Sequence, residues 1–407
     1  MDTTVLLIFA VVYLGMLLGE IPGLALDRSG VALLGAIALV ATRKVTVGQA
    51  WNAVDVPTVA LLLGLMVVSA QFRLGGFYAR VSRRLADHPA PPAGLLALLI
   101  GVVGLLSALL ANDIVCLAMA PIITAGCARR GRDPIPYLLG LAAAANVGSA
   151  ATLIGNPQNM LIGQALRLSF AGYLLDALVP AVIGLGLAWA VIAWSFRGRW
   201  ERPVTLTRTE QRDLAFNRWQ TAKGILVLGV LVLVFLFAPV PREAAALTAA
   251  GLLLLSRRMT SRDILGQVDW HLLVLFIGLF VVNHALLQSG MTERAVADLR
   301  AGGVDLSRAP WLFGVTAVLS NLVSNVPAVM LLLPAAAPHP QAGPLLALAS
   351  TLAGNLLIVG SIANIIVVDQ AGRLGVKISW REHARVGIPV TLLTLGVAAA
   401  WLWLRAA

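Results

Sequence analysis

Residues 107–121, SALLANDIVCLAMAP, and residues 320–334, SNLVSNVPAVMLLLP, decide how the rest of this chain is read. Both stretches begin with Ser, place an Asn five positions on and a Pro nine positions after that, in surroundings too apolar to face water. Asn112 and Asp113 in one copy, and Ser324 and Asn325 in the other, are therefore polar elbows where hydrocarbon is expected. The duplication extends outward on both sides. DVPTVALLLGLMVV at 55–68 answers DWHLLVLFIGLFVV at 269–282, and LIGNPQN at 153–159 answers IVGSIAN at 358–364. Partner segments stand 214, 213 and 205 positions apart, so one ancestral unit has been duplicated with a small deletion. Interrupted hydrophobic segments in corresponding places of two halves point to a transporter's midplane site.

The chain is 59% hydrophobic and only 12% charged, and apolar runs of membrane-spanning length recur along it. That is the composition of an all-α polytopic membrane protein. The net charge of +11 sits in short basic clusters between apolar runs, so it reads as a topology signal facing anionic lipid and excludes a nucleic-acid partner. The first apolar run follows Asp2 rather than a basic segment and is expected to be a span, not a cleaved signal. Cys116 and Cys127 both fall in one membrane hairpin, which leaves them as core filler and supplies no metal site.

Spans are expected at about 2–19, 29–42, 56–73, 135–168, 171–196, 221–239, 242–256, 269–288, 344–370 and 385–404. Segment 93–127 has Arg84 before it and Arg129, Arg130 and Arg132 after it, so it should enter and leave on the cytoplasmic side as a re-entrant hairpin. Segment 309–334 has Arg294, Arg300 and Arg308 offset by Glu293, Asp298 and Asp305 before it and no charge from 335 to 344 after it, and is expected to enter from outside. The organisation is then a first repeat at 1–196, with hairpin 93–127 and broken helix 135–168, a cytoplasmic linker at 197–220, and a second repeat at 221–407, with hairpin 309–334 and broken helix 344–370. Five crossings per repeat invert the second copy. The fold expected is two inverted repeats with about 10 transmembrane helices, two re-entrant helical hairpins and two broken helices. This topology puts 22 of the 30 Lys and Arg inside, with both termini outside a bacterial inner membrane; Arg43 and Lys44 are a local conflict. GGFYARVSRRLADH at 75–88 alternates apolar and basic positions at helical spacing and should lie flat on the inner surface.

Asn112 and Asp113 stand where the first hairpin must turn. As N-caps they would satisfy free amides, but a neutral Asn caps as well, and an acid in mid-membrane costs about 2.5–3.5 kcal/mol on insertion scales. Asp113 is the only acid at the centre of an apolar segment, and Val326 replaces it in the second copy. Gly155, Asn156 and Pro157 break one long segment, with Asn156 as N-cap and Pro157 as first helical residue; Gly360 and Ser361 break its counterpart. Four half-helix N-termini, each equivalent to roughly half a positive charge, would converge on one pocket and cradle an anion. Asn112, Asp113, Asn156, Ser324, Asn325, Gly360 and Ser361 are the expected substrate ligands. Asp113, Thr152, Gln158, Asn159 and Asn364 are candidates for ion coupling, with interhelical hydrogen bonding as their structural alternative. Asn283 and His284 close one span and read as interfacial. No zincin pair, phosphate loop or nucleophile elbow is present, so an enzyme is not expected.

ANDIVCLAMAP, GNPQN and SNVPAVMLLLP resemble the signatures of the ion transporter superfamily, which contains arsenite efflux permeases, NhaD-type sodium/proton antiporters and divalent anion symporters. The resemblance spans about 5–404. In the symporters the hairpin tips read Ser-Asn-Thr and hold carboxylates and sodium; here those positions are Ala111, Asn112, Asp113 and Ser324, Asn325, Val326. The Asn-Asp tip is closer to the arsenite and antiporter branches, where a carboxylate exchanges protons, and the GNPQN break is similar to bacterial anion transporters. What this implies is a secondary transporter of a small inorganic or organic anion, arsenite-like or carboxylate, working by alternating access. It would need no cofactor, with H+ as coupling ion and Na+ allowed, in contact with membrane lipid; a homodimer is allowed. A sodium/proton antiporter is the rival within transport, and a passive anion channel is the further alternative.

Overall fold

The computed structural model describes residues 2–19, 24–202 and 215–406. Arg208 and Arg212 of the expected linker lie outside them. Among the described residues the chain forms twenty α-helices, a single 3-10 turn and one isolated bridge between Arg132 and Glu201. The first ten are α1 (Thr3–Leu18), α2 (Arg28–Ala41), α3 (Val47–Ala53), α4 (Val56–Leu74), α5 (Phe77–Ala86), α6 (Pro92–Leu109), α7 (Asn112–Arg129), α8 (Ile135–Ser149), α9 (Pro157–Ala165) and α10 (Phe170–Ser195). Their counterparts follow in the same order: α11 (Arg218–Phe237), α12 (Arg242–Leu254), α13 (Ser261–Leu265), α14 (Trp270–Gln288), α15 (Met291–Ala301), α16 (Ala309–Val323), α17 (Asn325–Ala336), α18 (Ala342–Ala353), α19 (Ile362–Arg373) and α20 (Trp380–Ala406).

The repeat is written in the local chemistry as well as in the order. Thr46 and Thr260 close capping boxes on α3 and α13, each satisfying free first-turn amides. Asp55 and Asp269 cap α4 and α14, and Gly76 and Gly290 take φ of +70° and +69° to turn the chain into α5 and α15. All three pairs stand 214 positions apart. The two halves interlock: α2 packs on α14 and α12 on α4, with α10 against α20. At those crossings Gly64 meets Ala246 and Gly278 meets Ala32, where an added Cβ would come within 2.7 Å and 2.6 Å of backbone carbon. Glycine is needed there for close approach of backbones.

Every residue of α8 and of α18 is buried, so these two apolar helices form the centre of the molecule. Around them, Leu105, Val182, Leu226 and Leu392 face outward, as lipid-exposed positions do. Trp194, Trp219, Trp270, Trp380 and Trp403 are exposed near helix ends, where amphipathic rings anchor at a membrane interface.

Among the described residues six helices are long and apolar enough to cross a membrane: α4, α6, α10, α11, α14 and α20. Of the ten spans read from the sequence, α1, α2 and α12 are shorter than that length and two are the broken pairs α8/α9 and α18/α19. Asp27 caps the start of α2, accepting the Gly30 amide. α6 and α7 are 18 residues each, so each arm of the first hairpin is nearly as long as a bilayer is thick. Its two ends nevertheless meet. Arg130 Nη1 donates to the carbonyls of Ala86 (2.7 Å) and His88 (2.8 Å), and Arg132 Nη2 to that of Ala90 (3.0 Å). The local charge conflict at Lys44 is relieved by its ion pair with Asp2 at 2.9 Å.

Candidate functional site

Each hairpin turns onto the break of its own repeat. The Asn112 backbone amide donates to Gly155 O (3.3 Å), and the Asn325 side chain, with its amide facing acceptors, donates to Gly360 O (3.2 Å) and Ser350 O (3.0 Å). The Thr152 hydroxyl donates to Ala108 O, tying the first break to α6. Gln158 Nε2 then bridges the halves, donating to Thr351 Oγ1 (3.1 Å) and to Asn325 Oδ1 (3.2 Å). Both hairpin tips and both breaks therefore share one region.

The breaks cap themselves. Asn156 Oδ1 accepts the Asn159 amide (2.9 Å), Pro157 brings no donor, and Ser361 Oγ accepts the Ala363 amide (3.2 Å). Asn159 and Asn364 make matching bonds, their Nδ2 groups donating to the carbonyls of Ser149 and Thr152 and of Gly354 and Leu357. Side chains expected to serve substrate or ion are thus engaged in bracing broken backbone, which a buried site demands. The hairpins differ. Neither α7 nor α17 has a side-chain cap, so the first-turn amides of both return helices lack that partner. Ser324 holds φ +76° and ψ 161°, a region used almost only by glycine, which for a serine costs about 1–3 kcal/mol.

Asp113 has no hydrogen bond or ion pair among the described residues. It faces a cavity of about 40 Å³ lined by Leu62, Met66, Ala111, Pro157 and Met160, with no lysine or arginine on its walls. Asp269, the cap of α14, lines the same cavity. This corrects the expectation of a single acid: Asp269 reads in sequence as a helix cap near a boundary, and only packing of the halves carries it to Asp113. Two carboxylates on one small cavity attract a cation, the smallest being a proton. In the two hairpins, Ser107 Oγ, Ser320 Oγ and Asn112 Oδ1 are buried and have no partner among the described residues.

Other residues were not visible from the motifs. Asn146 on α8 bonds to the second break and Thr351 on α18 to the first, and Ser69 Oγ on α4 accepts the Ala111 amide at the first tip (3.3 Å). Asn283 is buried, not interfacial: Tyr13 donates to its Oδ1 (2.9 Å) and to Pro327 O (3.4 Å), holding the second tip. Ser69 and Asn283 stand 214 positions apart, so the duplication was the one signal that could have found them. Cys116 and Cys127 are buried free thiols.

Comparison with known proteins agrees with this architecture. The chain is 32% identical over 373 residues to an uncharacterized transporter of Mycobacterium tuberculosis, covering 86% of this chain and 87% of that one. It is 31% identical to the inner membrane protein YbiR of Escherichia coli, with 84% and 87% covered. It is also 27% identical to a silicon efflux transporter of Oryza sativa subsp. japonica, with 96% and 95% covered. Among solved structures, the Alcanivorax borkumensis YdaH transporter, described as having an unusual topology, superposes with a TM-score of 0.57 at 16% identity, covering 99% of this chain and 97% of that one. Neisseria gonorrhoeae MtrF, from a class of antimetabolite efflux pumps, gives 0.55 at 13% identity, with 98% and 93% covered. Those likenesses concern the fold. The sequence model of the family described as citrate transporter matches residues 4–353, most of the chain, and with paired hairpins, paired breaks and near-complete coverage of transporter relatives, this protein is a multi-pass membrane transporter of the citrate transporter family.

Proposed function

We propose that the protein is a secondary active transporter of a small anion or oxyanion, coupled to protons and working by alternating access in a bacterial inner membrane with both termini outside. The observation that carries this reading is the pair of uncapped return helices, α7 and α17, whose tips meet the two breaks. The Asn112 amide is taken by Gly155 O and Pro327 has none, which leaves the Asp113, Asn325 and Val326 amides without a partner among the described residues; such amides at a helix N-terminus favour an anion through both their hydrogen bonds and the helix dipole. An oxygen-rich solute suits them, and the cargoes named for the family and for the rice relative, citrate and silicon, are in keeping with that class. Asp113 supplies the proton-accepting group: it has no partner, faces a cavity and sits one residue from the amides that would hold the anion. Proton and anion would then share one site, so that loading one alters the other.

A sodium or other cation exchanger is the second reading. Asp269 beside Asp113, with the unpartnered oxygens of Ser107 and Asn112, favours it. Val326→Asp separates the two, because it places an acid in the second repeat at the position equivalent to Asp113. At an effective dielectric of about 20, a unit charge ~4 Å away is worth roughly 4 kcal/mol. Anion affinity, read by isothermal titration, should fall by at least about tenfold while sodium affinity holds or rises. Unchanged anion affinity with stronger sodium binding would favour the exchanger.

A further inference from the structure

Asn146 and Thr351 stand 205 positions apart and occupy the same place in the two repeats. Asn146 Oδ1 accepts from Ser361 Oγ (2.7 Å), and its Nδ2 donates to Asn364 Oδ1 (3.0 Å) and Asn355 Oδ1 (2.9 Å). Thr351 Oγ1 accepts from Asn156 Nδ2 (3.3 Å) and donates to Asn159 Oδ1 (3.3 Å). Asn156 and Ser361 are equivalent caps, and Asn159 and Asn364 equivalent braces, again 205 apart. The central helix of each repeat thus grips the break of the other repeat.

We propose that Asn146 and Thr351 are positioning residues, each fixing the direction of the half-helix N-terminus in the opposite repeat. The within-repeat bonds hold each break to its preceding helix, through the carbonyls of Ser149 and Thr152 or of Gly354 and Leu357. The crossed bonds add a hold on the cap and brace side chains themselves, Asn156 Nδ2 being shared between Ser149 Oγ of its own repeat (3.1 Å) and Thr351, and thereby on where α9 and α19 start. Thr351 uses its hydroxyl to capacity, donating once and accepting twice when Gln158 is included (3.1 Å). Asn146 and Thr351 are each 1% exposed, so water cannot replace a lost partner. Neither residue touches the Asp113 cavity, which makes them holders of the site and not ligands. Their effect on transport rests on the reading of the site given above; the crossed bracing does not.

Hydrogen exchange on the full chain in nanodiscs tests the crossing. Thr351→Val keeps the shape of the side chain and removes the hydroxyl. It should raise exchange about tenfold at Gln158–Leu161 of α9, in the other repeat, and leave Ala363–Ile366 of α19 near wild type. Asn146→Ser should give the reverse, loosening α19 and sparing α9, and it stands as an independent test where Thr351→Val does not fold. Thr351→Ser, which keeps the hydroxyl, should restore the α9 pattern. Loosening in the same repeat, uniform loosening in both, or no change would overturn the proposal. In the same variants the apparent KM for the anion should rise with the maximal rate little altered. Crossed exchange with an unchanged KM would uphold the bracing and remove the anion from this site.

Discussion

Asp113 sits in the first turn of α7 without capping it, and its partner position in the second repeat is Val326. A buried acid that no neighbour neutralises is retained for what it binds. Asp113→Asn should therefore leave a folded protein that still binds the anion but whose transport no longer responds to a pH gradient, measured as flux in proteoliposomes at fixed membrane potential. Wild-type pH response in that variant would remove Asp113 from coupling. Asn112, Asn156 and Ser361 were legible in the sequence because each is polar chemistry repeated at fixed spacing in apolar surroundings, and Asp113 because it is an acid at the centre of an apolar segment. Asn146 and Thr351 were not, since a single Asn or Thr in an apolar helix carries no signal until a partner faces it. Asp269 was legible as a cap only, because its second role depends on a segment more than 150 positions away in sequence.

At the scale of helices, the duplicated caps and glycines explain why the order of elements was readable and the lengths were not. Hydropathy marks where lipid-compatible residues lie, but it does not distinguish a helix in lipid from one sunk in protein such as α8 or α18. The same blindness made ten spans out of five long helices, three short ones and two broken pairs. The interlock of the halves gives a symmetric prediction. An alanine Cβ at Gly64 or at Gly278 would press on the backbone of Ala246 or Ala32, and overpacking of this kind costs about 1–3 kcal/mol. Gly64→Ala and Gly278→Ala should each lower the melting temperature in detergent by similar amounts. Tolerance at either position would mean that the crossing is not tight.

For the whole molecule, basic flanks and the meeting of residues 86–92 with residues 130–137 place both ends of the first hairpin on one side. Single cysteines at Arg84 and Arg130 should label from inside, and those at Asp305 and Ala337 from outside. Labelling of the two ends of either hairpin from opposite sides would contradict the inverted arrangement and, with it, a site at the middle of the membrane.

The central claim, that this fold moves an oxygen-rich anion together with protons, is tested most directly by flux into proteoliposomes holding the purified chain. Citrate, phosphate, sulfate, arsenite, silicate and labelled sodium would each be offered with and without a pH gradient. Saturable movement of one or more of the oxygen-rich solutes, accelerated by the pH gradient and abolished when the gradient is collapsed, is the predicted result. Sodium flux driven by protons with no anion moved, or anion flux that runs down its own gradient and ignores pH, would contradict it.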